Sequence, residues 1–282
     1  MNKLALTALM LLGCALSQWS YALDVKVCQT ESELDEYRIE LANLVLKKTK
    51  TEYGWAKIAP VAHEPDPTLS RCLFMLRTGK VDLVYVPPTD TLLADFEVIP
   101  VDILRGLLSY RVLVINQNAQ NGFARLNGLR ELQSYKGVYR DRDEQAFYKI
   151  NRLPALEGES VNQSLQMIES NRADYIFTDL LSAWTLVDAK KDKYPALSVE
   201  DTLALELQYP IYFMVRKGNQ RLKERLESGL DLVIKDGSFQ ALFDKSFGHI
   251  ATQANMASRN VIPVSYEGAD QVPVVDNRFW MH

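Results

Sequence analysis

The sequence predicts an α/β protein of two similar lobes, on two observations. A pattern of amphipathic helix, stop, basic residue, small apolar residue, aspartate and apolar strand occurs twice. It runs from Leu69 to Pro87 and again, 92 residues on, from Val161 to Asp179. Leu69, Leu73 and Leu76 recur at helical spacing, as do Val161, Leu165 and Ile168. Gly79 and Asn171 stand where a helix ends in a left-handed residue. The second observation is that the strands closing both copies, Leu83–Val86 and Tyr175–Thr178, are apolar throughout, as strands covered on both faces should be. Two copies of one unit predict two lobes, with a ligand held between them.

The remaining elements follow in order. Met1 to Leu12 is a short basic start with an apolar run, and Ser20-Tyr21-Ala22 puts small residues around a cleavage point. Residues 1–22 are therefore read as a secretory signal peptide and left out of the fold. Leu11-Leu12-Gly13-Cys14 also resembles a lipoprotein box, which would leave Cys14 acylated at a membrane; cleavage after Ala22 suits the longer segment better. Asp24–Cys28 is a first strand. Thr30 or Ser32 caps a helix running through Leu34, Tyr37, Leu41, Leu44 and Val45 to Lys48. Trp55–Ala62 is a second strand, and Glu64-Pro-Asp-Pro67 a stiff turn into the first repeat. This βαβαβ order favours a parallel sheet flanked by helices. Later come a strand Val112–Ile115, a polar loop Asn116–Gly122, a helix Leu129–Ser134, a strand Tyr135–Tyr139, a helix Glu144–Ile150, the second repeat and a strand Ile211–Val215. Two helices close the pattern, one through Leu222, Leu226, Leu230 and Val233, the other capped by Ser238 and ended by Gly248. Residues 251–282 carry scattered valines, Phe279 and Trp280 but little periodicity, and are read as an extended arm laid over the surface.

The formal charge of −4 becomes −5 once Lys3 leaves with the signal peptide. With no basic stripe, nucleic acid is an unexpected partner. No later segment is long and apolar enough to span a membrane. Cys28 and Cys72 are the two cysteines of the mature chain, and in an exported protein they suggest a disulfide, with two buried thiols as the alternative. The scattered histidines His63, His249 and His282 and the absence of a CxxC point to no metal site, and no cofactor is expected.

Four pieces carry a family resemblance: the signal peptide, Leu76-Arg-Thr-Gly-Lys-Val-Asp82 with its strand, Arg172-Ala-Asp-Tyr-Ile-Phe-Thr-Asp179, and the stretch from Val215 to Gly248. Together they resemble the type II periplasmic solute-binding proteins, the family-3 group that includes amino-acid receptors of ABC transporters. The likeness spans about residues 24–248. Ile99 to Arg111 and Arg278-Phe-Trp280 further resemble a bacterial subgroup of that superfamily with no settled ligand. The resemblance implies lobe one at residues 23–106 plus 211–250, lobe two at 107–210, and a two-strand hinge near Leu104–Tyr110 and Glu206–Ile211. It implies a periplasmic, monomeric, non-catalytic receptor that closes on a small polar solute for an ABC permease or a sensor.

Ligands of open α/β sheets sit beyond the carboxyl ends of the strands. That rule selects Cys28–Glu31, His63–Arg71, Pro87–Asp90, Tyr139–Arg142 and Thr178–Asp179. In the resembled receptors a threonine and an arginine five residues later bind the ligand carboxylate, and an acid binds its ammonium. Thr89 matches the threonine and Asp179 the acid, but Ala94 stands at the arginine position. Arg140 and Arg142, Arg71, or Arg105 near the hinge are the candidate replacements, and Tyr85 and Tyr139 candidates for stacking. Pro87-Pro88 is a rigid strand exit that would narrow the site. Two other readings stay open: an orphan signalling or assembly partner with a degenerate cleft, and an enzyme on the same scaffold, for which Glu64, Asp66 and Asp179 are the acids that could converge.

Overall fold

In the computed structural model the structure describes residues 23–28, 33–61, 68–272 and 280. The signal-peptide reading, Cys14, Glu64, Asp66 and the segment 273–279 lie outside the described residues.

The first lobe is built from β1 (Leu23–Cys28), α1 (Glu33–Lys48), α2 (Lys50–Tyr53), β2 (Ala56–Val61), α3 (Leu69–Arg77), β3 (Leu83–Val86), α4 (Asp90–Asp95) and β4 (Phe96–Ile99). The chain then crosses to β5 (Tyr110–Asn116), α5 (Gln120–Phe123), α6 (Leu129–Leu132), β6 (Gly137–Tyr139), α7 (Arg142–Ile150), β7 (Ala155–Glu157), α8 (Val161–Glu169), β8 (Tyr175–Asp179), α9 (Ala183–Lys190), β9 (Leu197–Val199) and β10 (Leu203–Glu206). It returns through β11 (Tyr212–Arg216), α10 (Gln220–Lys235) and α11 (Ser238–Ala254), and then reaches β12 (Asn260–Pro263).

One sheet has the order β2-β1-β3-β11-β4, parallel except for β11. The other runs β12-β10-β5-β8-β6-β7, with β9 also on β5. The pseudo-symmetry is concrete: β2-β1-β3 and β7-β6-β8 are equivalent parallel triplets, each continued by an antiparallel strand. The repeated sequence gives each triplet the same ends. Thr68 Oγ1 and Ser160 Oγ cap α3 and α8, and Gly79 (φ 71°) and Asn171 (φ 55°) follow their last turns in the left-handed region. The repeated aspartate has a structural use in both. Asp82 accepts from the Lys26 amide at 2.9 Å and its own amide donates to Lys26 O. Asp174 does the same to Lys136, its carboxylate 2.6 Å from that amide. Each aspartate thus pins the start of its strand to the neighbouring one.

Two expectations change. The last helix does not end at Gly248 but runs on to Ala254, because Phe243, Phe247, Ile250 and Ala254 continue one buried stripe past the glycine. It stops at Asn255, whose φ is 46°, and its N-cap is Gly237 rather than Ser238. The arm is not merely laid on the surface. Residues 260–263 pair with β10 in parallel and add an edge strand to the second sheet.

The crossovers lie side by side and share one carboxylate. Residues 100–109 coil through successive turns and residues 207–211 are irregular, with the Leu207 amide donating to Ser109 O at 2.7 Å. Asp102, 5% exposed, accepts from the amides of Leu104 (3.1 Å) and Gly106 (2.8 Å) in the first crossover and Ile211 (3.0 Å) in the second. The Ile103 amide donates to Ile211 O at 2.9 Å. Trp280, 2% exposed, covers this junction, its indole edge-on to Tyr110 at 5.7 Å. A Cβ on Gly106 (φ 79°) would sit 2.8 Å from that indole, so glycine is required there by both backbone and space. Trp280 of the second motif of the narrower resemblance therefore packs against the first motif.

Cys28 and Cys72 form a disulfide, Cα–Cα 5.7 Å, tying the end of β1 to α3 across 44 residues of chain. By the loop-closure argument it contributes about 4 kcal/mol. Reduction, or Cys28→Ser with Cys72→Ser, is expected to lower the unfolding free energy by about 2–5 kcal/mol in urea titrations at equal denaturant slope; an unchanged midpoint would refute this. Burial outweighs the three amide donors at Asp102 and raises its pKa to about 6. The folded chain then keeps a proton, up to about pH 6, that the unfolded chain releases near pH 4. This contribution, about 3 kcal/mol, is present in full below pH 4 and is lost as pH rises through 6. Asp102→Asn should flatten that part of the stability–pH curve in calorimetry.

Candidate functional site

The predicted residues do not gather at one point. Thr89 ends the exit from β3 as the cap of α4, its Oγ1 accepting from the Leu92 amide at 3.3 Å. Arg71 is exposed in the first turn of α3. Arg105, with φ 50°, turns toward α11 and lies 5.1 Å over the Phe243 ring, so it braces the crossover against lobe one. Tyr85 donates its hydroxyl to Cys28 O at 3.1 Å under the Arg38 guanidinium, 4.5 Å above the ring. Burial pushes the Tyr85 phenol well up, with Asp35 adding to it. Tyr85, Arg38, Asp35 and the disulfide line a cavity of about 180 Å³ at the carboxyl ends of β1 and β3, which Thr89, Arg71 and Arg105 do not line. Arg38 pairs with Asp35 at 3.0 Å, while its Nε is buried without a partner among the described residues.

On the second lobe, Arg140 does not stand free. Glu144 accepts from its backbone amide (2.7 Å) and Nε (3.2 Å) and from Nη2. This i, i+4 pair raises the Arg140 pKa further and occupies the guanidinium. Arg142 is exposed with no partner among the described residues. Tyr139 accepts from Gln145 Nε2 at 3.0 Å. Asp179 closes the turn into α9, accepting from the Ser182 amide (2.9 Å) and hydroxyl (3.1 Å). It stands directly across from Arg111 in the β5–β8 ladder. Residues opposed in an antiparallel pair share a face, and burial lowers the Arg111 pKa while Asp179 opposes that shift.

Arg111 opens onto a cavity of about 510 Å³. Its walls are Phe147 with Asp143 and Glu144 from α7, Phe177 from β8, Leu207 and Tyr209 from the second crossover, and Tyr266 and Glu267 from the arm. The rings form two pairs, Phe147 with Phe177 at 4.5 Å and Tyr209 with Tyr266 at 5.6 Å. Arg111 Nη1 donates to Leu108 O (2.9 Å) and Tyr110 O (3.0 Å), which fixes the guanidinium at the crossover. The sequence reading missed these residues. The Arg111 signal was its place directly after the first crossover; the aromatics at 147, 177, 209 and 266 gave no pattern that marks a site. A third cavity, about 260 Å³, lies between α1 and α11 on one side and Leu180, Leu181 and Trp184 on the other, with His249 and Gln253 among its walls.

By sequence, the chain matches no protein-family model and no curated protein significantly. By structure it is similar to the YckB protein of Bacillus subtilis, with TM-score 0.54 and 16% identity over 87% of this chain and 97% of that one. It is also similar to the YtmK extracellular-binding protein of Bacillus subtilis, attributed to an amino-acid ABC transporter (TM-score 0.51, 18% identity, 81% of this chain and 98% of that). A third likeness is to the second substrate-binding domain attributed to an amino acid ABC transporter of Streptococcus pneumoniae (TM-score 0.52, 15% identity, 80% and 99%). The chain has the fold of the type II periplasmic solute-binding proteins. The loops beyond β3, β6 and β8 lie past the carboxyl ends of its strands, where open α/β sheets generally hold ligands. No helix among the described residues is long and apolar enough to cross a membrane, and no cluster of metal-ligating side chains occurs among them.

Proposed function

We propose that this protein is an exported solute receptor that captures a small polar solute between its lobes and delivers it to an ABC-type importer or a sensor. The observation that carries the reading is the two-lobed fold with two adjacent crossovers stapled at Asp102, an arrangement in which the lobes can close about a shared hinge. We take residues 23–106 with 211–250 as one moving body and 107–210 as the other; β12 would travel with the second through its pairing to β10. Export rests on the sequence of residues 1–22, with release after Ala22 preferred to a lipid anchor at Cys14. The solute contacts assigned are Asp179 and Arg111 at the end of the second lobe, with Thr89 and the disulfide-linked edge of the first lobe opposite. YtmK is itself a binding protein, which supports binding without turnover. One observation favours the orphan-partner reading: Ala94 leaves the first lobe without an arginine at that point, and Thr89 already caps a helix.

A thermal-shift panel of amino acids, polyamines, small carboxylates and sugars on the mature protein separates the two. A solute at 100 times its Kd adds about 2.7 kcal/mol, several degrees for a chain of this size. Asp179→Asn keeps an oxygen for the Ser182 amide but removes the charge, so it should leave the basal Tm within about 2 °C and abolish the solute shift. A full shift in that variant would refute the assignment of Asp179, and no shift with any solute would refute the receptor reading.

A further inference from the structure

The cavity over Phe177 has a charge pattern that selects its occupant. Of its four charged residues, two are already engaged. Glu144 holds Arg140, and Arg111 is fixed to two carbonyls and faces Asp179. Asp143 and Glu267 remain, both exposed and without a partner among the described residues. They approach from opposite elements, α7 and the arm. The α7 N-terminus would ordinarily attract an anion. Here Asp141 caps it, its carboxylate 2.9 Å from the Glu144 amide, and Asp143 and Glu144 fill its first turn. Asp141 and Asp143 offset the positive end of the helix, Glu144 is paired with Arg140, and Arg142 stands exposed beside them. Beneath these acids lie the two ring pairs, and among the described residues no cation lies over any of the four rings. Elsewhere in the chain rings are covered, as Trp55 is by Lys50 at 3.6 Å.

We propose that the solute is an organic cation with an apolar body, an aryl or alkyl ammonium or guanidinium, seated between the Phe147–Phe177 and Tyr209–Tyr266 pairs with its charge toward Asp143 and Glu267. The proposal rests on the receptor reading and names the class of solute. Aromatic faces attract cations, and desolvation strengthens that attraction; the acids at the mouth add steering and select against anions. A cavity of about 510 Å³ suits a small molecule. The arm is part of this site: Tyr266 supplies one ring and is anchored by its hydroxyl on Gln208 O at 2.7 Å. The pairing of β12 with β10 carries the chain there, continued by the Val264 amide on Glu206 O at 2.9 Å.

The test is calorimetric titration of the full mature chain with benzylamine, benzyltrimethylammonium, benzyl alcohol and benzoate, which share a ring and differ in charge, with phenylalanine as a zwitterion. Both cations should bind at least ten times more tightly than the alcohol, and benzoate should not bind. Tyr266→Ala should weaken the cations five-fold or more, Tyr266→Phe should bind within two-fold of the parent, and Glu267→Gln, at an exposed position, should weaken them about three-fold without altering Tm. Equal binding of the alcohol or benzoate, or cation binding indifferent to Tyr266→Ala and Glu267→Gln, overturns the proposal. Phenylalanine binding that is lost in Asp179→Asn, with no cation binding, overturns the cation class and leaves the receptor reading standing. Cation binding without contraction in small-angle scattering leaves the site standing and overturns closure of the lobes. Absence of binding by every probe overturns the proposal.

Discussion

One buried carboxylate holds the two halves of this molecule in register. Asp102 binds amides from both crossovers, so the chain leaving the first sheet and the chain returning to it are fixed to the same two oxygen atoms. Moving a carboxylate from water into a site 5% exposed is costly unless donors replace the lost water, and three backbone amides offset part of that cost. The surroundings complete the arrangement. Tyr37 reaches from α1 to Ile103 O at 2.8 Å, Arg105 leans on α11, and Trp280 fills the space that a side chain at residue 106 would need. Helices of the first lobe and the arm thus meet at the point where the lobes join.

The apolar core follows the same logic. The largest cluster of buried side chains is not confined to one sheet. It runs from Val25, Leu41 and Phe213 through Ile103 and Leu107 to Tyr110, Leu180, Ala183 and Trp280. The second lobe adds a cluster on each side of its own sheet, one around Phe123 and Tyr175, the other around Leu165 and Ile176. The crossover end of that lobe is therefore continuous with the core of the first lobe, and its far end has its own clusters.

Much of the fold was legible in the sequence where a local pattern was strong. Both repeats, their caps and the helices α1, α7 and α10 have periodicity over several turns. The short strands β4, β7, β9, β10 and β12 have three or four residues each. They exist because a neighbouring strand offers them partners, which no short window reveals. Gly248 misled for a related reason: a glycine costs a helix about 1 kcal/mol, less than the burial of Ile250 and Ala254 beyond it returns. At the candidate site, the positions of Thr89, Arg140 and Asp179 at strand ends were legible, but their engagements were not. Arg140 reads as a free cation until the turn of α7 brings Glu144 beneath it. Tyr266 and Glu267 could not be placed before the arm's path along β10 was known.

Neither sheet can be completed by neighbouring stretches of chain. The first needs β11, whose Tyr212 pairs with Val86, and the second needs β12, whose Asn260 pairs with Leu203. Contacts so distant in sequence must be found before they are rewarded, which slows folding. A chain interrupted before residue 212 would expose the open edge of β3, an unpaired and largely apolar strand. The interleaving of the two sheets therefore leaves a long interval in which the newly made chain depends on being kept from pairing with its neighbours.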